Sequence, residues 1–115
     1  MAIQLRRTCE ALASADGFRE LVDRLWPRGL IKEMLQLGAW VKDLAPGNEL
    51  QKWIHGDMTR WLEFKRRYFK ELDGQPEAVA EICQQLRSGA ITHVFATRDA
   101  EHNHAAVFKE YLERF

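Results

Sequence analysis

The sequence predicts an α/β fold, a single small domain over residues 1–115 with a mostly parallel sheet of about four strands flanked by helices. Three observations carry that expectation. Short apolar runs at 3–8, 18–25 and 91–96 have the length and composition of strands. Segments 58–72, 76–87 and 101–114 repeat apolar residues at intervals of three and four, as amphipathic helices do. The two kinds are interleaved along the chain, which argues against a helical bundle. At 115 residues the chain can bury one real core.

Ile3 and Leu5 alternate with Gln4 and Arg6, giving the first strand. Asp16-Gly17 is a turn signal before the second strand. The stretch between them is too short for a full crossover helix, so the first two strands either form a hairpin or join through an irregular loop. Residues 31–37 suit one helical turn closed by Gly38. Residues 40–44 read as a short strand before Pro46-Gly47. Asn48 and Gln51 have capping-box spacing for a short helix over 49–54. Asp57 is placed to cap the 58–72 helix, with Met58, Trp61, Leu62, Tyr68, Phe69 and Leu72 on its inner face. Pro76 suits a first helical turn, and Val79, Ile82, Cys83 and Leu86 form the next stripe. Asp99 is the expected cap of the last helix, with Ala105, Phe108, Leu112 and Phe115 inward.

Lysine plus arginine and aspartate plus glutamate balance at 17 each, so the basic excess of a broad nucleic-acid binder is missing. The run Lys65-Arg66-Arg67 reads as a solvated helix face paired to Glu63 and Glu71. Cys9 and Cys83 are far apart, with no CxxC and no secretory leader, so reduced thiols and a cytoplasmic location are expected. No apolar run reaches the length of a membrane span. Glycine-rich nucleotide loops, HExxH and GxSxG are lacking, so no cofactor and no metal is expected.

Two strand ends stand out. The second strand runs into Asp23-Arg24-Leu25-Trp26-Pro27-Arg28-Gly29, a mixture that no apolar core requires. The last strand runs into Thr97-Arg98-Asp99 and then His102-Asn103-His104. If the two strands are parallel neighbours, both ends lie on one edge, where α/β proteins bind ligands. Arg24, Arg28 and Arg98 would then hold an anion near a helix N-terminus, with Trp26 and Asn103 as further ligand contacts. Asp23 and His104 are the candidates for proton transfer. His102 and His104 are two apart and do not share a helix face, which makes them poor partners on one metal. His93, inside the last strand, is read as structural, and His55 as a helix-end residue.

Four segments together resemble one known family: Val22 to Gly29, Trp40 to Pro46, Glu49-Leu50 with Trp53, and His102-Asn103-His104-Ala105. They are similar to the domain-of-unknown-function 488 family, in its short bacterial, YeaO-like branch. The resemblance spans nearly the whole chain. It implies a compact α/β domain of the bacterial cytoplasm with no established reaction. Longer members carry a cysteine-rich segment near the last strand, whereas Phe95-Ala96-Thr97-Arg98-Asp99 has no cysteine, so thiol or metal chemistry does not carry over. Gly47 and Cys9 also depart from the short branch, where serine and an aromatic residue are common. The resulting expectation is a site for a small anionic molecule, with or without catalysis. The competing readings are a non-catalytic interaction or dimer-forming module and, third, a nucleic-acid-binding regulator.

Overall fold

The computed structural model describes residues 3–99 and 102–115. Four strands form one sheet: β1 (Ile3–Arg7), β2 (Phe18–Leu21), β3 (Ala39–Trp40) and β4 (Ile91–Phe95), in the spatial order β1-β4-β2-β3. Every pairing is parallel. The α/β expectation holds, and the hairpin alternative for the first two strands is excluded because β4 lies between them. All five residues of β4 are buried, as a strand with neighbours on both sides and helices over its face should be. The edge strand β3 has two residues, which leaves little unpaired backbone.

Among the described residues, five helices accompany the sheet: α1 (Lys32–Leu35), α2 (Asn48–Ile54), α3 (Trp61–Asp73), α4 (Pro76–Ser88) and α5 (His104–Leu112). Val22, Ile91 and Phe95 join Phe64, Tyr68, Leu72, Val79, Ile82, Leu86, Phe108 and Leu112 in the main core. By strand alternation Leu21 and Val94 face the other way, where α1 supplies the buried Leu35. Segment 8–17 returns the chain from β1 to β2 with only a 3-10 turn, Ser14–Asp16. Its anchor is Asp16, almost fully buried, which binds Arg6 Nε at 2.7 Å and Arg19 Nη1 at 2.5 Å. Gly17 follows at φ 65°, and a Cβ there would meet the Ala90 carbonyl oxygen at 2.3 Å.

Several boundaries differ from expectation for local reasons. β2 stops at Leu21 rather than continuing to 25, and Leu25 is 76% exposed. The expected strand over 40–44 is a two-residue strand followed by a 3-10 turn at Lys42–Leu44. Gly47, not Asn48, occupies the N-cap position of α2, and Gln51 donates to the Pro46 carbonyl instead of closing a capping box. Asp57 does cap, but it caps a 3-10 turn, Met58–Arg60, that precedes α3. Leu62 is 80% exposed and Phe115 62% exposed, so neither joins the core. Asn103 caps α5 through Ala106 N–H, while Asp99 accepts from the His102 N–H in a turn before it. Cys83 is half-buried against the core and Cys9 is exposed, both as free thiols.

Candidate functional site

The carboxyl ends of β2 and β4 open into a cleft of about 410 Å³. Being parallel neighbours, these strands deliver Asp23 to Pro27 and Ala96-Thr97 to the same edge. The end of α2 adds Gln51, Ile54 and His55, and the start of α3 adds Trp61 and Phe64. His102, Asn103 and His104 complete the lining from the start of α5. The walls are thus largely aromatic and aliphatic, with a few polar groups converging at the strand ends, the usual constitution of a small-molecule site.

Asp23 and His104 come together at the floor, each 14% exposed at the side chain. Asp23 Oδ2 accepts the Ala96 N–H at 3.0 Å, which ties the two strand ends together. Its Oδ1 lies 3.0 Å from His104 Nε2 but is not aligned with it as a hydrogen bond. Nε2 instead makes its hydrogen bond with the Val22 carbonyl oxygen at 3.1 Å. Both groups facing Nε2 are acceptors, which assigns the neutral ring's proton to that nitrogen.

Two of the four segments that carry the family resemblance, 22–29 and 40–46, are each other's partners. Arg24 donates from Nε to the Pro46 carbonyl and from Nη2 to the Ala45 carbonyl, both at 3.1 Å. Trp40 donates its indole N–H to the Asp23 carbonyl at 2.7 Å, and Trp26 donates to Leu30 at 2.6 Å. The Trp26 and Trp40 rings meet edge to face, 5.5 Å apart. Glu71 accepts the Gly47 N–H, and Tyr68 donates to the Leu44 carbonyl, so helix α3 holds the same wall. Gly29 closes the loop after β2 at φ 74°, a left-handed angle that glycine adopts without strain.

The expected three-arginine mouth does not form in the cleft. Arg24 lines it, but Arg28 and Arg98 are exposed and lie outside its lining. Asn103 lines it with a side chain already committed, Oδ1 to Ala106 N–H and Nδ2 to the Asp99 carbonyl. Asp23, His104 and Trp26 are all present. Sequence reasoning missed Phe64 and Gln51, assigned Trp61 to the core, and read His55 as a helix end. A signal for Trp61 existed in its unusual place at a helix start. It packs on Phe64 at 5.0 Å and meets His102 edge to face at 5.2 Å. Among the described residues, no group of three His, Cys, Asp or Glu could hold a metal ion.

Fold and cleft define a small parallel α/β domain with its candidate site at the strand carboxyl ends. The chain belongs to the family described as the inactive DUF488-N3 subclade, whose pattern it matches over residues 2–115. It is 39% identical over 110 residues to the uncharacterized protein Rv3073c of Mycobacterium tuberculosis, covering 96% of this chain and 92% of that one. It shows the same identity and coverage with the uncharacterized protein Mb3100c of Mycobacterium bovis. With the uncharacterized protein YeaO of Escherichia coli it is 33% identical over 112 residues, 97% of each chain. No solved structure matches. Among the described residues no helix is long and apolar enough to cross a membrane.

Proposed function

We propose that the protein binds a small, singly charged anionic molecule with a planar apolar body, a carboxylate on an aromatic ring being the simplest form, and binds it without transforming it. The observation that carries this is the placement of Arg24 in a cleft walled by Trp26, Trp61 and Phe64. A guanidinium has five N–H donors, and Arg24 uses two on backbone carbonyls, which leaves donors for a carboxylate. Asp23 offsets the Arg24 charge, so the cleft lacks the excess of positive charge that a phosphate dianion would call for. Cysteine, serine and lysine are not among the cleft's lining residues, and the subclade's description as inactive agrees with binding rather than covalent catalysis.

A nuclear magnetic resonance titration with benzoate tests this reading. The indole N–H signals of Trp26 and Trp61 should shift and saturate together, while that of Trp53, half-buried beneath Arg67 and outside the cleft lining, stays in place. Four indoles that do not move at millimolar benzoate, or that all move alike, would defeat it.

A further inference from the structure

Three of the chain's four histidines, His55, His102 and His104, line the cleft. His104 is the one whose ring is fixed. Its Nε2 faces the Val22 carbonyl and Asp23 Oδ1, so that nitrogen keeps its hydrogen whether the ring is neutral or charged. Among the described residues His104 makes its polar contacts through Nε2 alone. Nδ1 is the nitrogen left to a ligand, and in the neutral ring it carries a lone pair. A lone pair repels a carboxylate oxygen; only the doubly protonated ring offers it a donor.

Resting on the anion-binding reading above, we infer that the cleft takes up its ligand anion together with a proton, held on Nδ1 of His104. The balance is simple: protein, one proton and one carboxylate form a complex in which no covalent bond to carbon changes. The surroundings suit it. From the loop after β2 come the carboxylate of Asp23, 3.0 Å from His104 Nε2, and the guanidinium of Arg24. From the end of α2 comes His55, and beside α5 comes His102, itself 3.4 Å from Asp99. Trp61 and Phe64 of α3 and Ala96-Thr97 after β4 bring no charge. Asp23 and Arg24 cancel in the empty cleft, so the imidazolium supplies the one positive charge that a monoanion matches.

Calorimetric titration of benzoate into the full chain between pH 5.5 and 8.5, in buffers of different protonation enthalpy, tests the inference. Affinity should fall as pH rises, by up to about tenfold per pH unit where one proton is taken up with the anion. His104→Gln should bind weakly and without that slope. In the wild type at pH 7.5, benzoate should move the His104 ring signals towards the imidazolium position, a readout that needs no variant. Benzoate binding that is independent of pH, or a His104 ring that stays neutral when benzoate is bound, overturns the inference and leaves the anion site standing. No binding anywhere in the range removes the anion site and the inference with it.

Discussion

Asp23 Oδ1 and His104 Nε2 lie 3.0 Å apart across the carboxyl ends of two parallel strands, although 81 positions separate the residues. The contact orients the ring without a hydrogen bond of its own, because the Nε2 hydrogen goes to the Val22 carbonyl. Long-range proton–nitrogen spectra at pH 8 should therefore show His104 as the Nε2–H tautomer. Asp23→Asn should keep that tautomer, because the Val22 carbonyl still accepts from Nε2. An Nδ1–H pattern in the wild type would contradict the assigned geometry.

A second acid–histidine pair lies inside the sheet. Glu20 and His93 are register partners on β2 and β4, both fully buried, with Oε1 3.2 Å from Nε2. His93 also stacks on Phe108 at 5.1 Å, which bears out a structural role for it. Glu20 Oε2 and His93 Nδ1 have no hydrogen-bond partner among the described residues. Removing one member of such a pair strands the other, at a cost of about 3–5 kcal/mol. Glu20→Leu and His93→Leu should each destabilise on that scale in urea unfolding, and the double variant by less than either single change. Additive losses would show that the two side chains are energetically independent.

Acid should weaken the segment that returns the chain to β2. Hydrogen bonding from Arg6, then from Ala13 N–H and Arg19, holds the Asp16 carboxyl below the usual carboxylate range, against the opposing effect of burial. Its folded value lies below its unfolded one, so its contribution is full above about pH 4 and is lost as pH falls through the folded value. Arg66 and then Arg67 lower exposed Glu63 to about 2, in the same direction. Unfolding midpoints measured from pH 6 to pH 2 should fall below pH 4 in the wild type and fall less in Asp16→Asn. Parallel curves for the two would rule Asp16 out as a source of the acid sensitivity.

Both tyrosines of the chain should resist ionisation. Burial, and next a hydrogen bond to Asp73 at 2.6 Å, raise Tyr111 to about 12. Burial raises Tyr68 well above its ordinary value, and its hydroxyl binds the Leu44 carbonyl. Absorbance at 295 nm should stay flat past pH 10 and rise only near 12 or on unfolding. Since the raised value favours the neutral folded form, stability is present below about pH 10 and declines as pH climbs through the folded values. An ordinary titration near pH 10 in folded protein would place a tyrosine in solvent.

The strands and long helices were legible because their apolar residues recur with the right periods. The buried faces of α4 and of most of α5 follow directly from that pattern. Strand order was not legible, since pairing of β4 between β1 and β2 is decided by contacts remote in sequence. Leu62 was misplaced because the buried row of α3 is Phe64, Tyr68 and Leu72, spaced at four, and at about 100° per residue Leu62 lies well off that row. Asp99 and Asn103 both have the short acceptor side chain of a cap, and only the backbone path decides between them. The candidate site was half legible. Asp23, Arg24, Trp26 and His104 were visible as residues that no core requires. That Arg24 spends donors on Pro46 and Ala45, while Arg28 and Arg98 lie outside the cleft, depends on loop paths that no local pattern encodes.

A crystal structure of the protein with benzoate tests the central claim most directly. The carboxylate should lie on Arg24 and His104 at the strand ends, with the ring between Trp26 and Trp61. A benzoate held instead by Arg28 or Arg98, or a cleft left empty by saturating ligand, would contradict the account.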